Sequence, residues 1–400
     1  MSVIADRAVA TTTSGAPPLK RNTRIDWLDG VRGCSAVYVM LHHIYLFLFP
    51  GFPVNTGPWV LGWLMYGQLA VVVFIVVSGF SLGLAPARSR NDLMHGASTF
   101  YHRRAWRILP PYWIALLLSI LVYHFLLVDV PGHAVNLRTF VVYGLLVQDV
   151  VPAASPNGAF WSIAIEAQIY IVFPLMLILN RSYSTKLMTV AVLIFVCVAH
   201  WLAIRAPSLS RIEHFTPQLL VGFAFGVWAA DEVASPTPRL RQLPLRWIAV
   251  LLAVALSAVC AAIGFAAVNE HYFWIDLTVA FIVAIGFVGL VETRSSSSFA
   301  QLLGSPPLRL VGEFSYSLYL IHGPLVALLL TFWITPKIGD PLIAYVSTAS
   351  IVAPLVIAAS YLFFLAFERP FLTIRSWPQL RSWLSCGLSF MNGRSTQGKH

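Results

Sequence analysis

Charge is what this sequence has least of. Asp, Glu, Lys and Arg make up 10% of its 400 residues and hydrophobic residues 58%, against about 25% charged and about 45–50% apolar in soluble domains. With a mean hydropathy of +0.76, a water-soluble globular class is excluded. The charge present leans basic, 26 Lys and Arg against 16 Asp and Glu, yet the basic residues stand in short groups between apolar runs. None of these groups is large enough to form a nucleic-acid surface, so no nucleic-acid partner is expected. Cysteine is scarce too. Cys34, Cys197 and Cys260 lie in apolar runs and Cys386 near the end, with no disulfide or metal-ligand spacing among them, and no metal is expected. The alternation of apolar and polar residues in ~10-residue segments that marks a transmembrane β-barrel is missing. The Ala/Ser/Thr-rich first 24 residues lack the apolar core of a cleavable signal peptide. They read as a mobile tail, with the first span acting as its own insertion signal.

What the sequence does hold is a series of apolar runs of about 20 residues, the length that crosses a ~30 Å hydrocarbon core as helix. Spans are expected at about 31–50, 60–85, 106–128, 160–179, 187–204, 215–230, 246–268, 274–291, 312–335 and 343–367. A further apolar piece, Thr139 to Val151, has 13 residues, a length typical of re-entrant or buried segments. The excess of Lys and Arg in cytoplasmic loops decides whether it crosses. If it does not, and the N-terminus is cytoplasmic, 22 of the 26 Lys and Arg fall on the cytoplasmic side; if it does, they divide 13 to 13. The expected fold is therefore an all-α, polytopic transmembrane helical bundle of about ten crossings plus one short re-entrant or non-crossing segment, with both termini cytoplasmic. Residues 1–24 form a tail, 25–370 the membrane domain and 371–400 a basic cytoplasmic tail.

Ionisable residues inside spans are costly and mark functional sites by default. Arg32 and His43 lie eleven residues apart on the first span, which sets them about 20° apart in direction and about 16 Å apart in height on a helix. His42 points about 80° away from that line and has the plainer reading of a helix-packing hydrogen bond. In FWSIAIEAQIYIVFPL, Ser162, Glu166 and Tyr170 share one helix face, with Glu166 about 9 Å below the outer surface and level with His43. Ser315, Tyr319 and His322 share a face of another span, His322 again near mid-depth. Ser78 and Gly79 interrupt the second span, where Gly permits close backbone approach, either to a ligand or to a neighbouring helix. On the cytoplasmic side Arg103, Arg104 and Arg107 open the third span. Their guanidinium forks suit phosphate oxygens, whether of a ligand or of inner-leaflet lipids.

Taken together these pieces resemble the acyltransferase family 3 of integral-membrane proteins. The resemblance is carried by RIDWLDGVRG with Arg32-x10-His43, VFIVVSGFSL, RRAWRILPPYW with Arg104-x-x-Arg107, FWSIAIEAQIYIVFPL and VGEFSYSLYLIHGPL. They occur in the family's order and cover about residues 24 to 370. The resemblance implies transfer of an acyl group, often acetyl from acetyl-CoA, to a hydroxyl of a surface polysaccharide, lipopolysaccharide or small glycoside. Acyl-CoA would be a co-substrate, with no bound cofactor. Some members of the family carry an extra extracytoplasmic hydrolase-like domain after the membrane part; about 30 residues follow it here, on the expected cytoplasmic side.

The residues then take expected roles. His43, a base of near-neutral pKa in its ordinary state, would take the proton of the acceptor hydroxyl, or would itself carry the acyl group. Glu166 would orient a sugar hydroxyl or the imidazole. Arg32, Arg104 and Arg107 would hold the donor phosphates, and Ser78, Gly79, Ser162, Tyr170, Ser315, Tyr319 and His322 would support the site. Trp59, Trp63 and Trp161, near outer ends of spans, read either as sugar platforms or as interfacial anchors. The expected location is the cytoplasmic (inner) membrane, and the partners are acyl-CoA, a carbohydrate acceptor and the bilayer. The competing class is a transporter or flippase for a glycan or its lipid-linked precursor, since buried His and Glu also build proton relays. Transporters often show internal repeats, and none is evident here.

Overall fold

The computed structural model describes residues 25–54, 57–89, 93, 96–127, 135–235, 243–292 and 297–383. The tail 1–24 and the last part of the tail 371–400 lie outside the described residues, as do Arg239, Arg241 and Arg294 of the charge count. Every regular element among the described residues is helical. Among the described residues, nine helices are long and apolar enough to cross a membrane.

The first is α1, Asp26–Leu48, with Asp26 and Asp29 in its first turn, where the helix dipole favours negative charge. A tight 3-10 stretch, Trp59–Tyr66, leads directly into α2, Gly67–Arg88. Then follow α3 (Gly96–Leu121), α5 (Trp161–Ser182) and α6 (Thr185–Arg205), with α8 (Leu245–Glu270) and α9 (Tyr272–Glu292) after them. The expected span 312–335 is α12, Ser315–Leu329, extended by a wider π turn to Ile334. The last expected span is α13 (Pro341–Ser347) and α14 (Ala353–Phe363), joined through a π turn. The tenth expected span is α7, Gln218–Ala234. At 17 residues it is short, and it runs through the middle of the bundle with most of its side chains buried.

The doubtful piece at Thr139 folds as α4, Leu137–Gly144, started by an Asn136 capping box with Thr139. Eight residues rise only about 12 Å, too little to cross. Its end is tied to α3, because Tyr112 donates to the Tyr143 carbonyl (2.9 Å) and Trp113 to that of Gly144 (2.9 Å). Leu146, with φ of 58°, then turns the chain back toward α5.

Glycines on both faces set how closely the central helices meet. Gly79 of α2 meets Gly226 of α7, while Gly83 lies against Val227 and Ala230 and Gly222 against Ile75 and Val76; a Cβ on Gly79 would strike the Phe223 carbonyl and one on Gly226 that of Val76. This is the small-xxx-small contact by which membrane helices gain close packing without a hydrophobic driving force. Short α10 (Ser298–Leu303) and α11 (Pro306–Glu313) pack on the start of α1, where Arg309 lies 3.7 Å from Asp26. The segment after α14 also packs back on the bundle: Trp377 meets Trp106, and the Arg375 carbonyl accepts from His102 (2.5 Å). Residues 371–383 are thus docked against α3, where a tail was expected.

Candidate functional site

The end of α1, the starts of α2 and α5, the end of α8 and the start of α9 converge on one cavity of about 370 Å³. Such a convergence requires α1 and α8 to run one way, α2, α5 and α9 the other, and α4 not to cross. His42 and His43 line this cavity together with Trp161, Tyr66, Gly158 and Tyr319.

His43 meets His322 here. Nδ1 of His43 lies 2.9 Å from the Val39 carbonyl and 3.0 Å from Nε2 of His322. Nδ1 of His322 lies 3.0 Å from the Leu318 carbonyl. A carbonyl can only accept, so each Nδ1 carries the hydrogen of its neutral ring, and Nε2 of His322 must accept from His43. The chain of bonds leaves Nε2 of His43 as a free lone pair. Gly158 stands beside it: a Cβ there would come to 3.8 Å of that nitrogen. The Gly158 turn is clamped by Asn157, which donates to the Leu320 carbonyl (2.8 Å) and accepts from the Ala159 amide (3.0 Å). His42, by contrast, gives its Nδ1 to the Leu64 carbonyl (2.6 Å) and packs on Gly67.

Glu166 sits in a separate cluster. Its Oε1 accepts from Tyr170 and from Ser78 (3.2 Å), and those two hydroxyls are 2.9 Å apart. It makes this bond set with Ser78 and Tyr170, and not with the imidazole of His43. One turn toward the cavity, Tyr319 and Ser162 share a hydrogen bond of 2.6 Å, and Phe74 packs edge-on against the Tyr319 ring. Ser315 bonds the Gly312 carbonyl (2.9 Å), which starts α12 and does not reach the histidines. Gly79 serves the α2–α7 contact.

On the other side of this cluster lies a second cavity, about 440 Å³, lined by Ser81, Thr99, Phe100, Arg103, Arg104 and Phe173 among others. The Arg104 guanidinium lies 5.6 Å above the Tyr170 ring and 5.9 Å from that of Phe100, within the range of a cation–π contact. Arg32 donates to Ser81 at the same wall (2.7 Å) and pairs with Asp29 (3.0 Å). Arg107 is exposed, one turn further along α3, and is not part of the wall. Arg103 lines the wall beside Arg104. Outside the spans, Asp149 accepts from Gln168 (3.0 Å), and burial raises its carboxyl above its ordinary range. Among the described residues, no group of three or more His, Cys, Asp and Glu side chains is placed to hold a metal ion.

Reading the sequence missed Asn157 and the buried Asp276 with its partners Gln68 and Gln218. Asn157 carries only a turn signal, Pro-Asn-Gly. Asp276 did carry a signal, a carboxylate inside a span.

The acyltransferase domain family matches residues 25–365, and the chain belongs to this family. It is 26% identical to the putative peptidoglycan O-acetyltransferase YrhL of Bacillus subtilis, over 87% of this chain and 55% of that protein. It is 24% identical to the peptidoglycan O-acetyltransferase OatA of Listeria monocytogenes, over 78% and 51%. The O-acetyltransferase OatA of Staphylococcus aureus is likewise 24% identical, over 80% and 53%. The chain thus spans about half the length of the curated relatives it matches. No solved structure matches it.

Proposed function

We propose that the protein transfers an acetyl group from acetyl-CoA to a hydroxyl of a carbohydrate acceptor, such as a cell-surface polysaccharide or a glycoside. The observation that carries this reading is the free Nε2 of His43 at a cavity wall, with an arginine-lined cavity on the far side of the Glu166 cluster. The names of the relatives, peptidoglycan O-acetyltransferases, favour acetyl as the group and a polysaccharide as the acceptor.

In this reading the membrane domain is 25–370, with ten crossings and both termini in the cytoplasm of a cytoplasmic-membrane protein. Arg103 and Arg104 hold the CoA phosphates, with Arg32 and Arg107 adding positive charge at the same mouth. The thioester reaches up past Tyr170, Ser78 and Glu166. The acceptor enters the His43 cavity from the opposite side. Nε2 of His43 takes the proton of the acceptor hydroxyl as its oxygen attacks the thioester carbonyl. The C–S bond breaks, and the CoA thiolate receives that proton from the imidazolium. His322 stabilises the imidazolium by accepting its Nδ1–H, and Tyr319 and Ser162 stand where the carbonyl oxygen gains charge. General-base help of this kind contributes roughly 10²- to 10⁴-fold in rate.

The test uses purified protein in lipid nanodiscs with acetyl-CoA labelled in its acetyl group. Release of CoA that depends on time and on a glycan acceptor, with label appearing as an alkali-labile ester, is the expected result. Movement of the glycan across the bilayer with no ester formed would replace the enzyme by a transporter.

A further inference from the structure

Asp276 is a carboxylate inside the membrane that the transfer reaction does not use. It lies on the second turn of α9, only 1% exposed, and lines the same cavity as His43. One of its oxygens, Oδ2, accepts from Gln68 of α2 (2.8 Å) and from Gln218 of α7 (3.0 Å). The other, Oδ1, is buried with no hydrogen-bond partner. A role confined to joining three helices would need one acceptor oxygen, and an amide carbonyl would supply it. A second carboxylate oxygen left unpaired in a low-dielectric interior costs several kcal/mol. Helix packing gives no return for that cost; a ligand donor in the cavity would.

The walls around it have the makeup of a site for a ring with an apolar face and polar edges. Phe265 packs at 5.4 Å from Phe52 and 5.2 Å from Tyr66, turned there by a break in α8 at Gly264, whose φ is 78°. Tyr272, one helical turn before Asp276, also lines the cavity and is held by Glu213 (3.1 Å), itself bonded to His200 (2.8 Å). Apolar and aromatic walls with a few fixed polar groups are how small-molecule pockets orient their ligands.

We propose that Asp276 is the second recognition point for the acceptor: Oδ1 accepts a hydrogen bond from a hydroxyl or amide N–H of the carbohydrate other than the hydroxyl being esterified, with Gln68 and Gln218 holding the carboxylate in place. This rests on the reading of the protein as a carbohydrate O-acetyltransferase and adds what sets its choice of acceptor. In its ionised form the carboxylate is an acceptor only, so it selects sugars that present a donor at that position and disfavours those with an ether, an ester or a hydrogen there.

The experiment compares the full-length protein and Asp276→Asn in nanodiscs, with acetyl-CoA and chitotetraose as substrates. Asparagine keeps a carbonyl for Gln68 and Gln218 but turns Oδ1 into a donor. The KM for chitotetraose should rise at least about tenfold, the loss of one hydrogen bond to a charged group, while the KM for acetyl-CoA moves less than about twofold. Monodeoxy and N-methylated tetrasaccharides, which lack one O–H or N–H donor each, keep the test decisive on the unaltered protein if Asp276→Asn does not fold. One position away from the ester should show the same loss. An unchanged KM for chitotetraose in Asp276→Asn, whatever its thermal stability, reduces Asp276 to a helix clamp and overturns the proposal. So does a set of modified acceptors that all bind like the parent. If the unaltered protein forms no ester on chitotetraose, the transfer reading for this acceptor class falls, and this inference with it.

Discussion

Replacing His322 tests whether the two-histidine chain works as its geometry says. In the resting site His43 donates from Nδ1 to both the Val39 carbonyl and Nε2 of His322. During transfer the ring becomes imidazolium, and the bond to His322 changes from a neutral to a charged one. Neutral hydrogen bonds contribute about 0.5–1.5 kcal/mol and charged ones about 1.5–3. His322→Ala therefore forfeits about 1–1.5 kcal/mol of differential stabilisation, or roughly 5- to 15-fold in kcat. KM for either substrate should hardly move, because His322 is fully buried behind His43. His322→Gln offers an amide oxygen to the same Nδ1–H and should recover part of the loss. His43→Ala removes the base itself and should lose roughly 10²- to 10⁴-fold, yet still bind CoA, since the arginine wall is about 16 Å away along α1. His42→Ala gives up a bond to the Leu64 carbonyl and should keep most activity, with a stability loss on the order of 1 kcal/mol. The assay is steady-state transfer to an oligosaccharide at matched protein levels in nanodiscs. If His43→Ala stays within about tenfold of the unaltered protein, or His322→Ala loses more than His43→Ala, the base has been placed on the wrong ring.

Changing Arg103 or Arg104 to Ala should weaken CoA binding about 10- to 100-fold, the worth of a charge-assisted phosphate contact, and Lys should restore it only in part because it lacks the fork. Arg107→Ala should weaken it less, since that side chain is exposed outside the wall. Unchanged CoA titrations in all three would return the cluster to lipid anchoring. Gly79→Leu or Gly226→Leu drives a side chain into the backbone of the partner helix and should cost on the order of 3 kcal/mol, seen as an earlier thermal unfolding in detergent; unaltered melting would show that α2 and α7 part more easily than they pack. In a background with its native cysteines replaced by serine, Cys probes at Ser184 and Ser297 should label only from the cytoplasm and one at Asn269 only from outside. Outside labelling at Ser184 would invalidate the ten-crossing arrangement.

Much of the architecture was readable because membrane insertion is decided locally. Each span needs only its own run of apolar residues to satisfy its backbone in lipid, so nine of the ten expected spans recur as long apolar helices. The charge balance that kept Thr139 to Val151 from crossing agrees with a helix of eight residues there. The shortness of α7 was readable as well, but its central place in the bundle was not, because glycine pairs at a spacing of four mark a contact face without naming the partner. Helix geometry also set Arg32 below His43 on α1 and Ser162, Glu166 and Tyr170 on one face of α5. It placed Glu166 and His43 at one depth, where Glu166 would orient a sugar hydroxyl or the imidazole; in the structure the two belong to different clusters because α5 turns Glu166 toward Ser78 of α2.

The sequence by itself determined the helical class, the order of the apolar helices and the kinds of chemical group available at each level along them, since periodicity and composition act over tens of residues. Only the tertiary structure decided which groups meet. His43 and His322 are separated by 279 residues, Ser78 and Glu166 by 88, and Gln68 and Asp276 by 208. No local pattern encodes such pairs. They arise from how closely the glycine faces let helices approach and how the kink at Gly264 turns α8, and that packing decides which lone pair is left free for chemistry.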